Sequence, residues 1–88
     1  MNNKGEEMDM VPIVTEDQAA ALLIKESGNA AYKEGNFVEA RRCFSDAISM
    51  DSKNATFFCN RSMCHASEGN WLESLKDAKE GVKLDPKY

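Results

Sequence analysis

Four segments of the chain carry apolar and small residues at steps of three and four, the spacing that places side chains on one face of an α-helix. The predicted helices cover residues 16–34, 37–51, 55–68 and 71–84. Short stretches rich in glycine, asparagine and aspartate separate them, as is typical of turns. The pattern therefore predicts an all-α fold of four helices.

The side chains predicted to face inward mix small residues with aromatic ones. In the first helix they are Ala20, Leu23, Ile24, Ser27 and Ala31, and in the second Phe37, Ala40, Phe44, Ala47 and Ile48. In the third they are Phe58, Ser62 and His65, and in the fourth Trp71, Leu75, Ala78 and Val82. Small side chains let antiparallel helices approach closely while aromatic rings fill the gaps, so a packed helical core is expected.

Capping and turn residues agree with these boundaries. Thr15 and Gln18 fit a capping box, in which the threonine hydroxyl accepts from a backbone N–H and Gln18 reaches back to the amide of Thr15. Two glycines supply tight turns, and each is followed by an asparagine able to cap the next helix: Gly35-Asn36 and Gly69-Asn70.

The sequence also repeats itself at an offset of 34 residues. Glu34-Gly35-Asn36 aligns with Glu68-Gly69-Asn70, Phe37 with Trp71, and Met50-Asp51-Ser52 with Leu84-Asp85-Pro86. A helix–turn–helix unit repeated with this period predicts two antiparallel hairpins in a right-handed superhelical stack. The predicted organisation is an acidic, disordered leader over residues 1–15 and two repeats over residues 16–54 and 55–88.

The repeated positions Gly28, Ala40, Phe44 and Ala47 resemble the tetratricopeptide repeat, and the resemblance covers residues 21–88. The second repeat departs from that pattern at Ser74, Ala78 and Gly81, where the family prefers alanine, an aromatic residue and alanine. These departures predict a thinner core in the second hairpin.

Two shorter stretches are similar to the co-chaperones that hold the acidic C-terminal tail of heat-shock proteins 70 and 90 (Hsp70 and Hsp90). They are Lys25-Glu26-Ser27-Gly28-Asn29 and Phe57-Phe58-Cys59-Asn60-Arg61-Ser62. The resemblance implies that Lys25, Asn29 and Asn60 form part of a carboxylate clamp. It also implies that a lysine and an arginine from a third repeat, whose first helix is expected just beyond Tyr88, complete that clamp.

Helix geometry is compatible with this role. Lys25 and Asn29 are four residues apart and so share a helix face, which Tyr32 and Lys33 continue by one turn. An ammonium group and amide donors that converge on a carboxylate form charge-assisted hydrogen bonds. We therefore expect Tyr32 and Lys33 to flank a peptide held by the lysine and the two asparagines.

The leading functional hypothesis is an adaptor that binds the acidic C-terminal peptide of Hsp70 or Hsp90 and performs no chemistry. The alternative is a generic scaffold or assembly repeat without carboxylate recognition, as part of a larger multidomain protein. No nucleophile, base and orienting group cluster by spacing, so no enzyme and no cofactor are expected. Cys59, Cys64 and His65 are not expected to bind zinc, because residues five apart point in directions about 140° apart on a helix.

Charge and hydropathy further limit the classes of binding partner that we expect. The net charge of −4 belongs to residues 1–20, while residues 21–88 hold ten acidic and ten basic side chains. A charge-balanced folded part without a basic stripe does not favour nucleic acid. There is neither a signal peptide nor a segment long enough to span a membrane, so no membrane is expected and the cytoplasm, or also the nucleus, is the expected compartment.

Repeats of this kind bury a face only against their neighbours. The face of the last helix around Leu75, Val82 and Leu84 is therefore expected to be partly exposed. Two outcomes follow for the 88-residue chain: marginal stability as a monomer, or weak self-association through the uncapped last hairpin.

Overall fold

The structure, a computed structural model, describes residues 14–87 and contains four α-helices in that range. They are α1 (Glu16–Lys33), α2 (Phe37–Met50), α3 (Ala55–Ser67) and α4 (Trp71–Leu84). Each boundary lies within one residue of the prediction, and no strand occurs between residues 14 and 87. The all-α fold is therefore confirmed. Except for its last two residues, the predicted leader over residues 1–15 lies outside the described part of the chain.

The helices pack in the order in which they follow one another. The main contacts join α1 to α2, α2 to α3, and α3 to α4. We call α1–α2 the first hairpin and α3–α4 the second. Gly35 and Gly69 make the turns within the hairpins, each with a φ of +80°, in the left-handed region that suits glycine.

Side-chain caps begin the first three helices. Thr15 Oγ1 accepts from the backbone N–H of Gln18, and Gln18 Oε1 accepts from the N–H of Thr15, both at 3.0 Å, so the capping box is confirmed. Asn36 Oδ1 accepts from the N–H of Glu39 at 3.2 Å. Asn70, in contrast, makes no side-chain cap, although its backbone angles nearly equal those of Asn36. The two asparagines therefore differ in side-chain placement alone.

The first hairpin is built on close contact between a glycine and an aromatic ring. Phe44 is 1% exposed. A Cβ atom added to Gly28 would lie 2.7 Å from Phe44 Cε1, which shows that the ring rests directly on the α1 backbone. Two clusters extend this core across α3: Ala31, Ala40, Phe44 and Cys64 form one, and Ala21, Ala47 and Phe57 form the other.

The buried face of α1 differs from the predicted stripe. Leu23 is 71% exposed and Ser27 is exposed as well, whereas Ala21 and Gly28 are buried. The reason is that α2 approaches the glycine side of α1, whereas Leu23 lies on the far side of the helix and Ser27 on its flank. Ala31, as predicted, is buried.

A polar network replaces much of the apolar core in the second hairpin. Arg61 donates to both carboxylate oxygens of Asp77, from Nε at 2.7 Å and from Nη2 at 2.8 Å. Arg61 Nη1 also donates to Ser45 Oγ at 3.1 Å, and the guanidinium lies 5.7 Å from the centre of the Phe58 ring. The arginine therefore joins α2, α3 and α4, and the hydrogen-bonded carboxylate raises its pKa.

His65 belongs to the same polar layer. Its side chain is 12% exposed, and Nε2 lies 3.5 Å from Asp77 Oδ2. Nδ1 is buried without a hydrogen-bond partner. The predicted location in or beside the core is confirmed, but only one ring nitrogen has a polar neighbour.

Trp71 is 69% exposed, so its prediction as a core residue is wrong. Its counterpart in the first repeat, Phe37, packs against Tyr32 with the ring centres 5.1 Å apart. The residue equivalent to Tyr32 in the second repeat is Ala66, which offers no ring to cover the indole. Leu75 and Val82 are 52% and 47% exposed, as expected for the last hairpin.

Candidate functional site

The centre of the candidate site is a pair of asparagine side chains on adjacent helices. Asn60 Nδ2 on α3 donates to Asn29 Oδ1 on α1 at 3.3 Å. Both residues are half-buried. Two side chains that are 31 positions apart in the sequence therefore meet where α1 and α3 face each other, and we call this surface the groove.

Lys25 lies one turn before Asn29 on the same face of α1. Its side chain is only 22% exposed, and Nζ lies 3.6 Å from the carboxylate of Glu26, whose side chain is 69% exposed. An ion pair with so exposed a partner is weak. The ammonium group can therefore leave Glu26 for a ligand in the groove at little cost.

The two residues predicted to flank the site differ in their surroundings. Tyr32 is half-buried, and its hydroxyl forms a 3.0 Å hydrogen bond with Ser67 Oγ on α3. This contact joins α1 and α3 at the end of the groove nearest Gly35. Lys33 is exposed in the last turn of α1. The structure thus makes Tyr32 part of the groove wall and leaves Lys33 at its rim.

Helix spacing puts three further residues on the same helix faces as the predicted donors, and they did not enter the prediction. Met63 is 52% exposed one turn after Asn60, and Ser67 follows one turn later. Leu22 is 42% exposed and lies one turn before Lys25. The signal that could have found them is the spacing of three and four residues from the predicted donors.

The arrangement offers donors suited to an anion. Because Asn60 Nδ2 uses one N–H on Asn29 Oδ1, the amide of Asn29 keeps its own NH2 group for a ligand. Together with the Lys25 ammonium, these groups form charge-assisted hydrogen bonds if a carboxylate enters the groove. Leu22 and Met63 add apolar surface on either side of the donors.

All three cysteines are free, and burial raises the pKa of each thiol. Cys64 is completely buried with Ala31, Ala40 and Phe44, and burial raises its pKa to about 11. Cys59 Sγ lies on the other side of α3, against Gly81 of α4, and burial raises its pKa as well. Across residues 14–87, no group of three or more histidine, cysteine or acidic side chains is placed to hold a metal ion.

Comparison with curated proteins identifies relatives that contain tetratricopeptide repeats. The chain is 37% identical over 73 residues to a small glutamine-rich tetratricopeptide repeat-containing protein of Dictyostelium discoideum. It is 44% identical over 64 residues to Hsp70-Hsp90 organizing protein 2 of Arabidopsis thaliana. These alignments cover 83% and 73% of this chain but only 22% and 11% of the relatives.

A solved structure supports the same conclusion. The Arabidopsis OM64 TPR domain superposes with a TM-score of 0.80 at 30% identity, over 81% of this chain and 59% of that one. The chain belongs to the tetratricopeptide-repeat (TPR) family. No protein-family model matches it. The predicted kinship with the organising co-chaperones is confirmed at the level of sequence similarity.

The TPR hairpins contain no helix that could cross a bilayer within the described residues, because none combines sufficient length with sufficient apolar character. The names of the relatives describe a tetratricopeptide repeat-containing protein, an Hsp70-Hsp90 organizing protein and a heat shock protein, and their similarity to this TPR domain supports a role in protein interaction.

Proposed function

We propose that this TPR domain binds the acidic C-terminal peptide of a chaperone of the Hsp70 or Hsp90 type and catalyses no reaction. Lys25, Asn29 and Asn60 are the proposed contacts to the peptide's carboxylates, with Tyr32 and Lys33 beside them. The proposal places this adaptor in the cytoplasm, or also in the nucleus. Its main support is the contact between Asn29 and Asn60, which sets two amides side by side one turn from a lysine.

The affinity of this chain is expected to be weak. Lys25, Asn29 and Asn60 match three of the five clamp positions of the co-chaperone family. A hydrogen bond to a charged group contributes about 1.5–3 kcal/mol, and the lysine provides the only cation among these three residues. Binding should therefore weaken strongly as ionic strength rises.

The test is a titration with a synthetic peptide that ends in acidic residues and a free α-carboxylate, followed by backbone amide shifts. We expect shifts around Lys25, Asn29 and Asn60. Lys25→Ala should weaken binding by about tenfold or more, since each tenfold change corresponds to about 1.4 kcal/mol. The matched control is Lys76→Ala, which removes the same charge from a side chain that is 73% exposed on α4.

The peptide with an amidated C-terminus separates the two functional hypotheses. Loss of its binding supports carboxylate recognition. Equal binding of both peptides, or shifts confined to the outer helices around Arg41 and Lys76, would favour the scaffold alternative. That alternative draws its support from the exposed apolar side chains of α4, Leu75 and Val82 among them.

A further inference from the structure

Two side-chain hydrogen bonds join α1 to α3 across the groove. One links the amides of Asn29 and Asn60 at 3.3 Å, and the other links the Tyr32 hydroxyl to Ser67 Oγ at 3.0 Å. The backbones of these two helices approach each other far less than the backbone of either approaches α2. Side-chain contacts therefore decide how α1 and α3 are placed relative to each other.

The Tyr32 ring is held firmly in the first hairpin. Its centre lies 5.1 Å from that of Phe37, the first residue of α2, and the two rings are tilted by 58°. Aromatic pairs favour tilted arrangements with centres about 4.5–7 Å apart. The ring also packs against the buried cluster that contains Ala31 and Phe44. Its hydroxyl therefore reaches Ser67, the last residue of α3, from a defined position.

Formation of a hairpin does not require the tyrosine. The residue equivalent to Tyr32 in the second repeat is Ala66, which has no hydroxyl group. The second hairpin nevertheless has the same glycine turn and equivalent helix boundaries. The hydrogen bond to Ser67 is also exposed, so it adds little to the buried core. A contact that the repeat can do without, and that crosses the groove, points to a role in the candidate site.

The hydrogen bond lies close to the proposed carboxylate donors. Tyr32 follows Asn29 by three residues on α1, which is less than one helical turn. Lys25 and Asn29 belong to α1, whereas Asn60 belongs to α3. A carboxylate can therefore meet all of these donors only at one separation of the two helices. A hydrogen bond that fixes this separation before the ligand arrives reduces the cost of ordering the site on binding.

We propose that Tyr32 and Ser67 are positioning residues of the peptide site. Their hydrogen bond holds α1 and α3 at the separation at which donors from both helices reach the same carboxylates, namely Lys25, Asn29 and Asn60. This inference rests on the proposed function, and it gives the Tyr32 hydroxyl a partner in the protein rather than in the peptide. Without the hydrogen bond, the first hairpin turns more freely relative to α3, and the donors no longer converge before binding.

The first measurement is the affinity for the acidic peptide that carries a free α-carboxylate. Ser67→Ala and Tyr32→Phe each remove one half of the hydrogen bond, and each should weaken binding by about three- to tenfold. Ser67→Thr keeps a hydroxyl group at the same position and should restore the parent affinity. The matched control is Ser49→Ala, which removes the hydroxyl group of an exposed serine on α2 and should bind like the parent.

The double variant separates positioning from direct contact with the peptide. If the two hydroxyl groups act only through each other, Ser67→Ala combined with Tyr32→Phe should bind as weakly as either single variant and no more weakly. Additive losses of affinity would mean that at least one hydroxyl group contacts the peptide itself, which would overturn the proposal. Single variants that both bind like the parent would overturn it as well.

The second measurement needs no peptide. Residual dipolar couplings of the backbone amides in the free protein report the orientation of α1 relative to α3. They should change in Ser67→Ala and in Tyr32→Phe, and they should match the parent values in Ser67→Thr. Urea unfolding should change little, because the hydrogen bond is exposed. A merely structural role would instead lower the stability and leave the peptide affinity unchanged.

The two measurements also distinguish failure of this inference from failure of the proposed function. Unchanged couplings in Ser67→Ala would overturn the inference whether or not a peptide binds. A parent chain that binds no acidic peptide would refute the proposed function instead. In that case the couplings would still decide whether the hydrogen bond between Tyr32 and Ser67 fixes the orientation of α1 and α3.

Discussion

The two hairpins of this TPR domain share one backbone plan and differ in how their helices are held together. In the first hairpin, the Phe44 ring rests on Gly28. In the second, the equivalent pair is Ala78 and Ser62, and Ser62 Oγ donates to the backbone oxygen of Ser74 at 2.8 Å. The second hairpin thus has a hydrogen bond where the first has an aromatic contact, yet its helices begin and end at equivalent positions. Turns and caps therefore specify the hairpin, while the two residues of an interior pair change together.

A second difference concerns charge. Cys43 in the first hairpin corresponds to Asp77 in the second, and both are buried. The neutral Cys43 thiol donates a weak hydrogen bond to Glu39 Oε2 at 3.6 Å and needs no opposite charge, whereas a buried carboxylate must be paired and hydrogen-bonded. Arg61 meets that need with two hydrogen bonds, and His65 Nε2 lies 3.5 Å from the same carboxylate, so the second hairpin depends on the arginine most of all.

Removal of that arginine should have the largest effect. Arg61→Met leaves Asp77 buried without its cation, and breaking a buried pair in this way costs about 3–5 kcal/mol. Urea unfolding followed by circular dichroism measures the loss. Arg42→Met is the control, because this side chain is 62% exposed and pairs only with surface carboxylates; its cost should stay below about 1 kcal/mol. Equal losses in the two variants would contradict the dependence on Arg61.

The next largest effect on stability is expected from adding a methyl group at each close-contact glycine, and it should differ between the two hairpins. Gly28→Ala meets the buried Phe44 ring at 2.7 Å and should destabilise by about 1–3 kcal/mol. Gly81→Ala meets one atom too closely, Cys59 Sγ at 2.8 Å, while Ala55 O and Cys59 N lie at ordinary contact distances. The sulfur atom can rotate away, and alanine gains about 1 kcal/mol of helix propensity, so the change should be nearly neutral. Thermal unfolding measures the change in stability of both variants. A larger loss of stability in Gly81→Ala than in Gly28→Ala would contradict this expectation.

The pair formed by Gly28 and Phe44 can also be introduced at the equivalent positions of the second hairpin. Ala78→Phe alone should clash with Ser62, and Ser62→Gly alone loses the hydrogen bond to Ser74. The double variant copies the pair formed by Gly28 and Phe44. A double-mutant cycle measured by urea unfolding should give a favourable coupling of about 1 kcal/mol or more. Additive effects would mean that the two positions do not form one packing unit.

The smallest effect concerns an ion pair found at only one interface. Arg41 donates to both oxygens of Glu68, from Nε at 2.8 Å and from Nη2 at 3.3 Å, and this contact lowers the pKa of the carboxyl group. The position equivalent to Arg41 in the second repeat is Leu75, so no copy of this pair exists there. Glu68→Gln should cost less than about 1 kcal/mol at pH 7.

The pH dependence of that variant follows from the direction of the shift. A carboxyl group whose pKa is lowered by folding stabilises the protein above its unfolded pKa of about 4.5. This contribution disappears as the pH falls through the lower folded value. The free energies of unfolding of parent and variant should therefore converge in acid, as urea titrations at neutral pH and near pH 3 can measure. A difference that persists in acid would point to packing instead.

Helix boundaries were predictable from sequence because periodicity, capping residues and glycine turns are all local. The proximity of Asn29 and Asn60 was predictable only through the resemblance to co-chaperones, which implied that residues of α1 and α3 belong to one site. Whether these residues bind a peptide stays a prediction.

Burial was less predictable, since it depends on which neighbour covers a side chain. Leu23 has helical spacing and apolar character, yet no element in residues 14–87 covers it. Trp71 is exposed because its neighbour is alanine at position 66 rather than a second aromatic residue. Asp77 can be buried because Arg61 pairs with it. The two residues are 16 positions apart, and no local pattern encodes that separation.

The neighbour-to-neighbour packing of the four helices also governs how the chain reaches its fold. Most stabilising contacts join helices that are consecutive in the sequence, so the contact order is low and only short loops must close before the core forms. Proteins of such topology fold in microseconds to milliseconds. We therefore expect closure to start at the turns at Gly35 and Gly69, with either hairpin able to serve as the nucleus on which the other grows.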